Sequence, residues 1–394
     1  MAVCGRAGGG GMKAIELFAG AGGAALGLEA AGVHHLALCE WNPDACATLR
    51  AAGLGPVVEG DVRDLDAIAA VAFPSESELW NTAGDRLIDS ELDGEEWCLE
   101  REALAMDLWE QSRAVGLVWA SWPCQAFSIA GLRQGANDDR NGWPWTLDAL
   151  DRFQPRWFIG ENVFGLLHHN QDCDRRGLPE ECAGCYFERV ILVELRNRFP
   201  VVGWFLLDAA DFGVAQHRRR LFIHAGPEPV TPPRATHGPG MFTRPWVSMG
   251  EALDIDWSSL VSSKLLREPS PTVTTTEVKG TRANKNNNWS LHRGADRASD
   301  VLAISTGYRG GDTGRRRLTV AECATLQGFP DDHPWHACRT KTAQYRAVGN
   351  AVPPRLAQVV AESVMVADRS ARTADREKTH HHGIFDGIVE NAHG

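Results

Sequence analysis

Short apolar runs alternate with helical patterns through the first half of the chain, the order expected of a parallel sheet with crossover helices. Residues 13–18 predict a strand, followed by a glycine-rich turn and a helix over 24–31 that Gly32 closes. Residues 36–39 predict a second strand, after which Asn42-Pro43 opens a helix. Runs at 115–121 and 157–160 predict further buried strands, each ending where polar residues begin. A helix over 187–198 and strands over 204–208 and 220–225 continue the alternation.

After Gly226 the pattern changes. Residues 227–314 are rich in Pro, Gly, Asn, Ser and Thr with little helical period, which predicts a loop-rich second domain. Regular structure returns at Leu318, where Thr319-x-x-Glu322 reads as a capping box. Pro353-Pro354 precedes an apolar helix over 356–367, and the polar tail 368–394, with its His380–His382 cluster, is expected to be disordered. The stretch 75–113 is expected to be an acidic helical insertion, and residues 1–11 a flexible glycine-rich leader.

Composition adds limits. The 394 residues suffice for one large domain and a smaller one, and no apolar run approaches the ~20 residues that span a bilayer. The expected setting is cytoplasmic, with the ten cysteines reduced unless they bind metal or do chemistry. A net charge of −11 speaks against nucleic acid as a partner, but its distribution does not. Residues 215–320 carry 16 Lys+Arg against 9 Asp+Glu, while 74–113 carry 3 against 12. A basic segment on an acidic body permits DNA binding on one face; a solvated charged surface explains the count equally well.

Candidate chemistry begins at Phe18-Ala19-Gly20-Ala21-Gly22-Gly23, where glycines at a strand-to-helix turn let backbone approach a cofactor. Glu40 ends the second strand twenty residues beyond Gly20, a spacing that suits a ribose hydroxyl, and Asp61 could address an adenine amino group. A nicotinamide dehydrogenase fits these features as well. Ser121-Trp122-Pro123-Cys124-Gln125-Ala126-Phe127-Ser128 then puts a cysteine just past a buried strand, behind a stiffening proline. A lone cysteine there is usually an inert buried thiol. Glu161-Asn162-Val163 follows the next apolar strand on the same sheet edge. Gln216-His217-Arg218-Arg219-Arg220 sends Arg218 and Arg220 to one face of a strand, and residues 344–354 supply a polar turn near the C-terminus.

With these blocks on the page, the chain resembles the bacterial and phage DNA (cytosine-5) methyltransferase family from Lys13 to Ala367. The matching blocks stand in the family's order: ELFAGAGG, EWNPDA, GDVRDL, PCQAFSIAG, ENV, QHRRRLF, RRLTVAECATLQGFP and YRAVGNAVPP. The resemblance implies an α/β fold, a Rossmann-like class I S-adenosylmethionine-dependent sheet with a smaller target-recognition domain. It assigns 12–225 and 316–367 to catalysis and 226–315 to recognition. Cys124 would attack carbon 6 of a flipped-out cytosine, making carbon 5 nucleophilic. Glu161 would hold ring nitrogen 3 and the exocyclic amine, with Arg218 and Arg220 anchoring the carbonyl and a phosphate. Pro123, Gln125 and Ser128 would belong to the catalytic loop. Phe18, Gly20, Gly22, Glu40, Trp41, Asp61, Val62, Asn350 and Ala351 would bind S-adenosylmethionine. Gln216, Thr272 and Val273 would serve the DNA side. The implied partner is duplex DNA, bound by a monomer, with a companion restriction endonuclease left open.

Two departures stand out. Trp122 occupies a position where the family has Gly or Pro before its Pro-Cys pair. After Glu161 come His168-His169, Cys173 and Cys182-Ala183-Gly184-Cys185, half of a zinc pattern. Three unpaired structural cysteines are the preferred reading and structural zinc the alternative. Against competing functions, a dehydrogenase gives no reason for PCQ, ENV and Q-x-R-x-R in series. An RNA cytosine methyltransferase of the same superfamily is harder to set aside, and the sizeable basic segment between Gln216 and Leu318 favours duplex DNA. A silent DNA-binding relative would not need the thiol.

Overall fold

The computed structural model describes residues 11–88, 90, 94–123, 141–169, 173, 182–254, 268–270, 272–273 and 318–390, the last 15 of these and Gln111 by backbone alone. Seven strands form one sheet: β1 (Lys13–Leu17), β2 (His34–Glu40), β3 (Val57–Glu59), β4 (Leu117–Ala120), β5 (Trp157–Val163), β6 (Val201–Asp208) and β7 (Arg219–Gly226). Their order is β3-β2-β1-β4-β5-β7-β6. β1 to β5 are parallel, and β7 runs antiparallel between β5 and β6. The chain winds outward from β1 to β3, then crosses to β4, so the order reverses between β1 and β4. Ligands of such sheets bind at the carboxyl ends of the strands around that point.

The central strands are buried on both faces, β4 at every residue, which is why they read as continuous apolar runs. Trp122, Trp143, Phe158 and Leu221 pack one face; Trp119, Trp157, Phe222 and Leu356 pack the other. Helix α1 (Gly23–Ala30) lies directly on the C-terminal helix Pro354–Glu390. A Cβ at Gly23 or Gly27 would strike the backbone of Val352 or Pro354, so both glycines are required by close approach. Helix α2 (Pro43–Ala51) begins as expected, with the Asn42 side chain accepting from the Asp44 and Ala45 amides.

Within 75–113 the helices Glu76–Arg86 and Gly94–Arg113 pack on each other, and Ser75 with Glu78 caps the first. The expected capping box at Thr319 and Glu322 is also formed.

Two expectations change. The helix over 187–198 is not one α-helix; Phe187–Ile191 is a π-helix between Ala183–Tyr186 and Leu192–Arg196. The tail is not irregular after residue 367, because the C-terminal helix runs to Glu390. Asp368 holds it: its carboxylate accepts from Trp157 Nε1 and Arg156 Nε, both at 2.9 Å, and from Arg372. The recognition domain 226–315 falls largely outside the described residues, of which only 226–254, 268–270 and 272–273 belong to it. Among the described residues no helix is long and apolar enough to cross a membrane.

Candidate active site

The carboxyl edge of the sheet gathers the candidate chemistry. Leu17 ends β1, and Phe18 follows in a left-handed conformation at φ 59°, rare for a bulky side chain. Gly20 and Gly22 also have positive φ, and a Cβ at Gly20 would meet only open space. Glu40, at the end of β2, accepts from the Gly20 amide and the Asn42 amide, each at 2.8 Å. Burial raises its pKa, while the Asn42 and Gly20 hydrogen bonds oppose that rise. Glu40 therefore locks the glycine turn and keeps further lone pairs for ligand hydroxyls. Trp41 beside it is exposed, and Val62 is buried in the core below. The Asp61 carboxylate is taken by Arg63, whose Nε lies 2.9 Å away, so it does not stand free for an adenine. These residues fit a nucleoside cofactor: a buried carboxylate beside an open glycine cradle, with an aromatic plane at its lip.

Cys124, Gln125 and Ser128 lie outside the described residues. Their approach is fixed up to Pro123. Trp122 is 2% exposed, packs on Trp143 with ring centroids 5.2 Å apart, and presses on Gly160 and Gly142. A Cβ at Gly160 would come within 2.7 Å of its ring. The bulky departure before Pro-Cys is thereby explained: Trp122 fills the core beneath the segment, against two glycines that make room. Asn162 Nδ2 donates to the Trp122 carbonyl at 3.2 Å, tying β5 to the backbone two residues before Cys124.

Glu161 lies inside β5 rather than after it, because pairing with antiparallel β7 extends the strand to Val163, opposite Arg220. It is buried, and Arg220 Nε stands 2.9 Å from its Oε1. Burial lifts its pKa above the usual carboxylate range; the positive charges of Arg220 and Arg218 and a hydrogen bond with Ser121 oppose the rise. Ser121, at the end of β4, also accepts from Trp119 Nε1. This site is a buried acid held by an arginine next to the strand that leads to the cysteine, an arrangement suited to sharing a proton with a base.

Arg218 and Arg220 part company. Arg218 is 1% exposed and its guanidinium donates to three main-chain carbonyls, Val273 at 3.0 Å and Gly349 and Ala351 at 2.9 Å each. Here it fastens three segments together rather than reaching toward a substrate. Gln216 is likewise fully buried, bonded to the Leu326 carbonyl and the Val273 amide, and offers no face to DNA. Thr272 Oγ1 donates to the His217 carbonyl at 2.7 Å, and Val273 is buried, so 272–273 are docked onto 216–218. Asp208 completes this junction, accepting from the Arg218 amide and pairing with His217 at 3.0 Å. Asn350 is exposed beside the buried Ala351.

The sequence reading missed Ser121, Asn162 and Asp208. Asn162 stood visible in the ENV block, but its partner is a main-chain carbonyl 40 residues away. Cys173, Cys182, Cys185 and His169 come together in a cluster of their own.

Sheet order, glycine cradle and buried acid together define an α/β methyltransferase with a Rossmann-like sheet. The profile of the C-5 cytosine-specific DNA methylases matches residues 12–78, 108–233 and 251–365, and the chain belongs to that family. It is 30% identical over 372 residues to type II methyltransferase M.NgoMIV of Neisseria gonorrhoeae, covering 90% of this chain and 97% of that protein. It is 28% identical to type II methyltransferase M.NaeI of Lentzea aerocolonigenes, covering 90% and 75%. The Schizosaccharomyces pombe Dnmt2 methyltransferase shares the fold, with a TM-score of 0.52 at 16% identity over 91% of this chain and 99% of that one. Membership makes the chain a DNA (cytosine-5-)-methyltransferase that uses S-adenosylmethionine.

Proposed function

We propose that the enzyme methylates carbon 5 of a cytosine flipped out of a specific duplex sequence, through a covalent bond between Cys124 and carbon 6. The buried Glu161–Arg220 pair beside the strand leading to Cys124 carries this reading. Cytosine carbon 5 is a poor nucleophile in the aromatic ring. Addition of the Cys124 thiolate to carbon 6 breaks the 5,6 double bond and moves its electron pair onto carbon 5. Glu161, whose pKa is raised, holds its proton more readily and shares it with ring nitrogen 3 as negative charge develops there. Arg220 keeps the carboxyl oriented and presents positive charge to the cytosine carbonyl. Bound S-adenosylmethionine supplies an electrophilic methyl group on sulfur. After methyl transfer, loss of the carbon-5 proton to a base restores the 5,6 double bond and expels the thiolate.

The cofactor would lie along Phe18, Gly20 and Gly22 with its ribose on Glu40, its ring against Trp41 and Val62, and Asn350-Ala351 at the rim. Asp61 would join only if it exchanged Arg63. Arg218, Gln216, Thr272 and Val273 would act from behind, keeping the recognition segment seated on the sheet. Carbon 6 is buried in a stacked duplex, so the reaction needs base flipping. Relatives that carry type II methyltransferase names support a restriction-modification setting. Incubation with tritiated S-adenosylmethionine and duplex DNA should label DNA, leave RNA unlabelled, and yield nothing with Cys124→Ser. Label in RNA alone would refute the substrate, and label at the normal rate from the serine variant would refute the mechanism.

A further inference from the structure

His169 Nδ1 lies 3.6 Å from Cys182 Sγ, 3.6 Å from Cys185 Sγ and 3.9 Å from Cys173 Sγ. All four donor atoms fall within 4.8 Å of one another. We propose that these residues form a Cys3His zinc site. This reverses the preference for unpaired structural cysteines and is independent of the proposed reaction.

Geometry carries the assignment. Zinc–sulfur bonds of ~2.3 Å and zinc–nitrogen bonds of ~2.0 Å in a tetrahedron give nitrogen–sulfur edges of about 3.6 Å. The edges to Cys182 and Cys185 match at 3.6 Å, and the edge to Cys173 is longer at 3.9 Å. The Cys173 and Cys185 sulfurs are 3.1 Å apart, far beyond the ~2.05 Å of a disulfide, and would open to about 3.8 Å around an ion.

The surroundings point the same way. His169 Nε2 faces Glu188 Oε1 at 3.4 Å, an acceptor that favours the ring proton on Nε2 and so leaves the Nδ1 lone pair for the sulfurs. A carboxylate on the far nitrogen is the usual support of a metal-bound histidine. Gly184, between two of the cysteines, is needed because a Cβ there would come within 2.8 Å of the His169 ring. Three thiols and an imidazole become Zn(Cys)3(His) with net charge −1 and release of about three protons.

The site matters by position. His169 follows Glu161 by eight residues, while Cys182 and Cys185 flank the start of the helix bearing Tyr186. The Tyr186 hydroxyl accepts from Asn141 Nδ2 at 2.9 Å, where the chain returns after the Cys124 segment. An ion here pins the segment leaving Glu161 to the helix that anchors that return.

The test is metal analysis of the full chain purified without air from zinc-supplemented cells, followed by X-ray absorption. About one zinc per chain, with three sulfurs at ~2.3 Å and one nitrogen at ~2.0 Å, is expected. Cys185→Ser and His169→Ala should each lose most of the metal, while replacing His380, His381 and His382 by alanine should not. Cobalt loaded in place of zinc should show tetrahedral thiolate absorption in unmutated protein, a readout that needs no variant to fold. Unmutated protein that takes up neither metal overturns the proposal. So does metal retained by the Cys185 variant but lost with the tail histidines, or a Cys173–Cys185 disulfide in the air-free protein.

Discussion

Glu161→Gln keeps the shape and one acceptor oxygen, replaces the other by an NH2 donor, and removes the charge facing Arg220. At the observed 2.9 Å, and with an effective dielectric of about 20, the attraction lost is about 6 kcal/mol before desolvation is counted. Burial takes back much of it: the same desolvation that raises the Glu161 pKa disfavours its charged form. Both side chains keep some solvent contact, 10% and 13%, so the net loss of stability should be about 1–3 kcal/mol. The catalytic loss should be larger. Without a transferable proton at ring nitrogen 3, the chemical step should slow about 100- to 10,000-fold, or about 3–5 kcal/mol of barrier. Single-turnover transfer of tritiated methyl to duplex DNA reads the second quantity; urea unfolding reads the first. Arg220→Met and the double variant complete a cycle, in which a coupled pair gives a double loss smaller than the sum. A Glu161→Gln rate within about tenfold of the unmutated rate, below the range of acid–base contributions, would refute the role given to the buried acid.

Other outcomes follow from the packing. Trp122→Ala should cost about 3–5 kcal/mol in urea unfolding, because it empties the space against Trp143 and Gly160, while the rate per folded molecule stays near normal. A loss of rate with unchanged stability would instead place that indole at the thiol. Ending the chain after Ala367 should cost about 1–3 kcal/mol, since it removes Asp368 from Arg156 and Trp157; ending it after Asp375 should cost little, and equal melting of both would disprove the anchor. Burial works against a charged His35, yet its hydrogen bond to Glu16 and the Glu29 carboxylate 3.7 Å away raise its pKa to about 9. A raised folded value means that this stabilisation is complete below the unfolded value of ~6.5 and lost as pH rises through about 9. Unfolding midpoints should therefore fall more between pH 7 and 10 than in His35→Gln; parallel curves would show that the pair does not titrate there.

The parallel core was legible because its strands are buried on both faces, as at β4. The glycine turn and the buried carboxylate were legible because positive φ at the turn favours glycine and an acid stands out at the end of an apolar run. Less readable were the contacts that cross the chain. Glu161 was expected beyond its strand because nothing in its own run reveals that β7 pairs alongside it. The tail reads as polar and unstructured, yet Asp368 meets an arginine and a tryptophan more than 200 residues earlier. Gln216 and Arg218 belong to a basic, polar block that suggests DNA, while in the fold both are spent on main-chain groups.

That use of Arg218 has a thermodynamic consequence. One guanidinium holds the carbonyl of Val273 and, from a stretch more than 70 residues later, those of Gly349 and Ala351. Any ligand that shifts one of these carbonyls changes the free energy of the other arrangement. Displacement at Val273 and displacement at Gly349–Ala351 are then linked, each altering the free energy of the other by the same amount.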